Sequence, residues 1–260
     1  MISLVSVSPP ELGTPMRPIG HASHVDVRGL EADLRKRIEG EVRFDEGSRG
    51  LYATDGSNYR QVPIGVVIPR HKQDVIETVA LCRQYNAPVL SRGGGTSLSG
   101  ECCNVAVVMD FSKYMRKILE LDPKRKRARV EPGCVLDFVR GAAEEYHLTF
   151  APDPSTHNHC TFGGMLGNNS CGVHSIMAGK TDVNTEELEV LLYDGTVLQV
   201  GKTDERELER IIRAGGRRGE LYGKLRAFRD KYAELIRRTF PDIPRRVSGY
   251  NLPWLLPENG

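Results

Sequence analysis

The sequence lacks the long apolar runs, paired cysteines and charge excess that mark several common classes of protein. No apolar run approaches the roughly 20 residues that a membrane-spanning helix needs. The formal net charge is only +2, which excludes a strongly basic nucleic-acid-binding protein. The six cysteines include no C-x-x-C pair. We therefore predict free thiols and no metal site.

The N-terminus also lacks the charged-then-apolar pattern of a signal peptide, and it contains Pro9, Pro10, Pro15 and Pro18. We predict an irregular arm over residues 1–27 and a cytoplasmic protein, with peripheral association at the inner membrane left open. Glycine, by contrast, is abundant at 27 residues. Such a surplus indicates backbone placed close to a ligand, or many tight turns.

Short strand and helix patterns alternate along the chain. A helix pattern over residues 73–85 lies between two strand patterns and ends at Asn86 and Pro88. Asp194-Gly195 is a strong hairpin signal between two strands. A charged helical region over 204–238 is interrupted near Gly215-Gly216. The other predicted strands are 66–68, 89–90, 105–109, 117–121, 128–131, 188–192 and 197–200, and the other predicted helices are 30–38 and 135–146.

The first glycine loop, residues 91–100, is the first candidate for ligand chemistry. Its sequence Ser-Arg-Gly-Gly-Gly-Thr-Ser-Leu-Ser-Gly exposes consecutive backbone N–H groups, which favour anionic oxygens. Hydroxyls and Arg92 add donors and positive charge, so a diphosphate would suit the loop. The alternative is a tight turn between strands, in which glycine supplies positive φ. No Lys follows the glycines, which excludes the P-loop motif, and a strand pattern follows where a Rossmann fingerprint needs a helix.

The second glycine loop, residues 152–172, has no clear period and is predicted to lack secondary structure. Its glycines would let backbone lie against a planar or anionic ligand, and Asn168 and Asn169 both donate and accept hydrogen bonds. Long loops inside compact domains are usually functional. A plain surface loop is the alternative.

Taken together, these segments resemble a known family. Their sequences, and the order in which they follow one another, are similar to those of the FAD-linked oxidases. The segments are Arg92–Gly100, Pro152–Ser155, Thr161–Gly164, Asn168–Gly172 and Leu188–Gly195. This family shares its FAD-binding domain with vanillyl-alcohol oxidase and p-cresol methylhydroxylase (PCMH). The branch resembled is that of D-lactate, glycolate and D-2-hydroxyglutarate dehydrogenases.

The resemblance implies an α+β fold of the PCMH type: two subdomains of mixed sheets flanked by helices, with FAD between them. The expected FAD-binding domain covers residues 28–203 and divides near 114. Residues 204–260 would lead toward a cap domain. In the family the cap supplies the catalytic residues and follows a segment like Pro257–Gly260, so we expect it to be missing from this chain and assign no catalytic residue.

The resemblance also implies site residues. The FAD diphosphate is expected on the first glycine loop, the flavin and ribityl chain on the second, and the adenine near residues 181–183. Thr96 stands where covalent members have a flavin-linking His, so FAD is expected to be non-covalent. The implied cofactor-binding residues are Arg92, Gly93, Gly94, Gly95, Thr96, Ser97, Gly100, Pro152, Asp153, Thr161, Gly163, Gly164, Asn168, Gly172, Thr181 and Val183.

The expected activity is dehydrogenation of a small 2-hydroxy acid, with electrons passing to an iron–sulfur centre, a quinone or an electron-carrier protein. Two alternatives stay open: an FAD-binding module with no turnover of its own, and a phosphate- or sugar-nucleotide-binding protein.

His157 and His159 lack the further ligands of a structural zinc site. The basic run 124–127 lies on a predicted hairpin turn without aromatic residues, and so does not indicate nucleic acid.

Overall fold

A computed structural model describes residues 24–247 and 249–259. The arm predicted over residues 1–27 therefore lies outside the described residues except for its end, where a helix begins at Val27. No helix in the described ranges has both the length and the apolar character needed to cross a lipid bilayer.

A four-stranded mixed sheet forms the first half of the fold. The elements of this half are α1 (Val27–Arg37), β1 (Glu41–Arg43), α2 (Glu46–Leu51), β2 (Gly65–Ile68), α3 (Lys72–Gln84), β3 (Val89–Arg92) and β4 (Val107–Asp110). The strand order is β1-β2-β4-β3, with β1 antiparallel to β2 and the other neighbours parallel. Strands β2 and β4 are buried at every residue, as expected for central strands whose sequences are continuous apolar runs.

The main hydrophobic core lies between this sheet and helices α1 and α3. Leu30 and Leu34 of α1 are fully buried and join Leu81 of α3 and Val107 of β4 in one cluster. Helix α3 ends where the sequence predicts, because Asn86 adopts a left-handed φ of 54° that a continuing helix cannot use. The core thus fixes β3, and with it the start of the first glycine loop.

Two hairpins and several helices follow. A smaller core around Cys134, Leu136 and Met165 packs beneath the second glycine loop. Arg127 pairs with Glu186 at 2.8 Å, joining the first hairpin to the start of the second. The elements are β5 (Ile118–Asp122), β6 (Arg127–Val130), α4 (Leu136–Glu144), α5 (Phe162–Asn168), α6 (Ser175–Ala178), β7 (Glu187–Leu191), β8 (Val197–Gly201), α7 (Glu205–Ala214) and α8 (Gly216–Thr239).

The predicted α+β class with mixed sheets and flanking helices is confirmed. The predicted hairpin at Asp194-Gly195 and the break between α7 and α8 are also present, with Gly195, Gly215 and Gly216 at positive φ.

The prediction that residues 152–172 lack secondary structure is wrong over α5. Thr161 caps this helix through Oγ1, although the bond to the Gly164 amide is long at 3.4 Å. Two further amides at the helix start donate to tertiary partners: Phe162 N to Cys134 O at 3.0 Å and Gly163 N to Pro132 O at 2.8 Å. Glycine and asparagine have low helix propensity, so these tertiary bonds supply what the local sequence does not.

Candidate functional site

The first glycine loop leaves the carboxyl end of β3 with a run of unused backbone amides. Among the residues that the structure describes, no acceptor bonds the N–H groups of residues 93–96. The Ser97 amide interacts with the Cys102 thiol, and Ser99 N and Glu101 N donate to Ser97 Oγ at 3.1 and 3.2 Å. Four consecutive free amides are the donor set expected of an anion-binding loop.

The two glycine loops touch at positions where only glycine fits. A Cβ on Gly93 would lie 2.0 Å from Thr161 Oγ1, and one on Gly94 would lie 2.3 Å from His159 O. Both distances are far below normal van der Waals contact. The absence of these side chains therefore allows the loops to meet.

A cavity of about 210 Å³ lies where the loops meet. Leu98, Glu101, Cys102, Cys160 and Met165 also line it, and the sequence analysis did not single them out for this role. Burial raises the pKa of the Cys102 and Cys160 thiols, so both are neutral at pH 7. Eight of the predicted cofactor-binding residues line the cavity: Gly93, Gly94, Gly95, Thr96, Ser97, Thr161, Gly164 and Asn168.

The other predicted residues lie around this cavity without lining it. The Arg92 guanidinium is turned into the protein and donates to the carbonyls of Thr54 and Cys102 at 2.9 and 3.0 Å. Gly100, at φ +77°, packs against the ring of Tyr59. Gly163 faces away, with Pro132 O 3.1 Å from the position of a Cβ.

Pro152, Asp153 and Gly172 lie at the two ends of the second glycine loop, which pack against each other. Pro152 is buried, and a Cβ on Gly172 would lie 1.9 Å from Asp153 O. The Asp153 carboxylate accepts from His174 N at 2.9 Å and pairs with His174 Nδ1 at 2.5 Å. Burial acts to raise the pKa of Asp153, but the hydrogen bonds from His174 outweigh it and lower that pKa. Asp153 is therefore an ionised partner of His174.

Thr181 and Val183 do not line the cavity, but their segment is hydrogen-bonded to a residue that does. Thr181 is fully buried and donates through Oγ1 to Ser170 O at 2.7 Å, and Ser170 lines the cavity. Val183 is more than half exposed. Asp182 between them accepts from Trp254 Nε1 at 2.9 Å, which joins this segment to the C-terminal part of the chain.

A segment that the sequence analysis missed supports the first glycine loop from behind. We call residues 52–60 the supporting segment. Gly56 N donates to Gly95 O at 3.0 Å, and Cys102 N donates to Asp55 Oδ2 at 3.1 Å. Burial acts to raise the pKa of Asp55, but hydrogen bonds from Ser57 and the Cys102 amide lower it overall. The Asp-Gly-Ser sequence could have indicated a turn here, but nothing in it indicates the partner.

The two histidines considered as metal ligands have separate partners. His157 Nδ1 lies 2.7 Å from Asp137 Oδ2, and His159 Nδ1 lies 2.7 Å from Asn158 Oδ1. Within residues 24–247 and 249–259, no three His, Cys, Asp or Glu side chains are placed to hold a metal ion.

Comparison with known proteins gives matches over the region that contains both loops. A family model described as "FAD binding domain" matches residues 63–201, more than half of the chain. A D-2-hydroxyglutarate dehydrogenase from Pseudomonas putida is 35% identical over 234 residues, which are 89% of this chain and 23% of that protein. The glycolate oxidase subunit GlcD of Escherichia coli (strain K12) is 33% identical over 186 residues, 70% of this chain and 37% of that protein.

Solved structures share the fold. The structure of p-cresol methylhydroxylase with substrate bound aligns with a TM-score of 0.57 and 20% identity, covering 67% of this chain and 35% of the other. A structure of alkyldihydroxyacetonephosphate synthase aligns with the same TM-score of 0.57 and 21% identity, covering 67% of this chain and 34% of the other. At these identities the likeness concerns the fold alone.

Proposed function

Because this chain belongs to the FAD binding domain family, we propose that it is the FAD-binding part of an oxidoreductase that dehydrogenates a small 2-hydroxy acid. The relatives named above as D-2-hydroxyglutarate dehydrogenase and glycolate oxidase subunit support this substrate class. The chain spans 23% and 37% of their lengths. The observation that carries the proposal is the run of free amides at residues 93–96, which lines one cavity together with the second glycine loop.

The residues of the site fit the anionic middle of FAD. Its diphosphate needs hydrogen-bond donors without a side chain in the way, and residues 93–96 offer four adjacent amides. We assign these amides to the diphosphate and Thr161, Gly164 and Asn168 to the flavin and ribityl side. Thr181 and Val183 would lie on the adenine side. Bound FAD would supply two-electron chemistry on its ring system.

The remaining residues would set the backbone path around the cofactor. Pro152, Asp153, Gly163 and Gly172 belong to the second glycine loop, whose path is set by the close contacts described above, and we propose that they lie along the flavin and ribityl chain. Thr96 has no group that forms a flavin link, which supports non-covalent FAD.

The proposal extends to domains and partners. Residues 28–203 would form the FAD-binding domain, with a division near 114 at the connection between β4 and β5, and residues 204–260 would lead on from it. Electrons would leave to an iron–sulfur centre, a quinone or a carrier protein.

A cytoplasmic location is supported by six cysteines that are all free thiols. Cell fractionation, with an antibody to detect the protein, tests the location. Recovery of the protein anywhere other than the cytoplasm or the cytoplasmic face of the inner membrane contradicts it.

FAD titration of the purified chain tests the cofactor site. We expect a yellow protein, or quenching of flavin fluorescence on addition of FAD. Gly94→Ala should weaken binding at least roughly tenfold, an effect of about 1.4 kcal/mol, because its Cβ would push residue 159 and the second glycine loop away. Gly141→Ala is the matched control, since nothing lies within 4 Å of that position. A colourless chain that takes up no FAD refutes the assignment.

Turnover separates this function from the alternative of an FAD-binding module. The alternative is favoured by the small share of each relative that this chain spans. The chain, loaded with FAD, would be assayed with a dye acceptor and D-2-hydroxyglutarate, glycolate or D-lactate, alongside a D-2-hydroxyglutarate dehydrogenase as the positive control. Reduction of the dye by this chain supports dehydrogenation. Bound flavin without dye reduction, where the control reduces the dye, supports the module instead.

A further inference from the structure

Two side chains of opposite charge, Arg92 of the first glycine loop and Asp55, bond to the backbone of the segments that flank this loop. Arg92 bridges Thr54 O and Cys102 O, at 2.9 and 3.0 Å. These carbonyls belong to two different segments, one before the loop and one at its end. The guanidinium also lies directly beneath Gly95, where a Cβ would be 2.6 Å from Arg92 Nη2. The loop is therefore built over the Arg92 side chain.

Further contacts fix the orientation of Arg92. Its guanidinium carbon lies 5.2 Å from the centroid of the Tyr52 ring. The Tyr52 hydroxyl in turn donates to Asp110 Oδ2 at 2.5 Å, at the end of β4. Both bonds are donated by one nitrogen, Nη1, which the planar guanidinium holds in a fixed direction. A lysine side chain is one atom shorter, so its ammonium ends before this position.

Asp55 makes the complementary contacts. Its two carboxylate oxygens accept from Ser57 N at 2.9 Å and Cys102 N at 3.1 Å. Next to it, Gly56 N donates to Gly95 O, and a Cβ on Gly56 would be 3.0 Å from Ser97 O. A carboxylate is an unfavourable neighbour for an anion, so its presence behind an anion-binding loop calls for a role in the backbone of that loop.

We propose that Arg92 and Asp55 are positioning residues that hold the amides of residues 93–96 in a fixed array for the FAD diphosphate, without contacting the diphosphate themselves. This inference rests on the proposed function. It assigns Arg92 to the backbone of the loop and not to the phosphate, because the hydrogen bonds of its guanidinium go to protein carbonyls.

Asp55→Asn gives a test in which a charge effect and a positioning role predict opposite changes in FAD affinity. Removing a negative charge near the diphosphate would tighten FAD binding if only charge mattered. Positioning predicts weaker binding, by roughly fivefold to tenfold, because an amide NH₂ would then face either Ser57 N or Cys102 N, donor against donor. Asp45→Asn is the matched control: it makes the same charge change at the cap of α2 and should leave FAD affinity unchanged.

Arg92→Lys tests the other half. It keeps the positive charge but is one atom too short to place a donor at the position of Nη1, so the bridge is lost and we expect FAD affinity to fall about as far as in Arg92→Gln. The dependence of FAD affinity on salt concentration should stay as in the wild type, because no ion pair with phosphate has been removed. Hydrogen exchange of the cofactor-free variants should quicken at the Gly56 and Cys102 amides, and not across the sheet.

The outcomes are decisive in each direction. Tighter or unchanged FAD binding by Asp55→Asn, wild-type binding by Arg92→Lys, or a shallower salt dependence in either Arg92 variant overturns the inference. If the Arg92 variants do not fold, Asp55→Asn decides alone, and Asp55→Ala replaces it should the asparagine variant aggregate. A wild-type chain that binds no FAD would refute the proposed function itself, which is a separate result.

Discussion

Replacing Gly93 by alanine tests the contact between the two glycine loops. The new Cβ would lie 2.0 Å from Thr161 Oγ1 and 3.2 Å from Thr161 Cβ. Thr161 is 1% exposed, and its Oγ1 is held at the cap of α5. Overpacking of this kind costs about 1–3 kcal/mol, and rotating Thr161 away would lose the cap of α5, about 1 kcal/mol more. We expect the free energy of unfolding to fall by about 2–4 kcal/mol.

The assay is urea unfolding of the cofactor-free chain, followed by circular dichroism. Gly141→Ala is the control, expected to raise stability by about 0.5–1 kcal/mol because it places alanine in a helix without a clash. The double variant Gly93→Ala/Thr161→Ala removes the clashing hydroxyl. It should therefore be more stable than the sum of the two single effects predicts.

FAD affinity should follow the same pattern, lower in Gly93→Ala and partly restored in the double variant. The reasoning is refuted if Gly93→Ala unfolds at the wild-type urea midpoint, or if the two substitutions are simply additive. Either result would mean that the loops do not meet at these atoms.

Two further predictions concern acid stability and the C-terminal contact. Hydrogen bonds from Lys113 and Tyr114 lower the pKa of Glu41 from 4.5 to about 2. Ionised Glu41 thus stabilises the fold above pH 4.5, and this contribution is lost as the pH falls toward 2. The stability difference between wild type and Glu41→Gln, from urea unfolding at several pH values, should shrink over that interval; a constant difference contradicts this. Asp182→Ala should shift the emission of Trp254, the single tryptophan, to longer wavelength because its indole N–H loses its acceptor; an unchanged spectrum would show that the contact does not form.

Much of the fold could be predicted because the relevant signals are local. The apolar runs of β2 and β4 indicate strands buried on both faces, and Asn86 and Pro88 end α3 by their own backbone preferences. The glycine pair at 215–216 separates α7 from α8 for the same reason. The order in which the four strands pair depends on contacts between distant parts of the chain, so the sequence of any one strand does not indicate it.

The sequence by itself determined where glycine frees the backbone, and hence which two loops could bind an anionic cofactor. Only the tertiary structure decided that Arg92 points inward, that residues 162–168 form a helix, and that the supporting segment holds the first loop. The physical reason is that these features depend on backbone carbonyls and amides, such as Thr54 O, Cys134 O and Gly56 N. Every residue type carries such groups, so only their position in space gives them a partner.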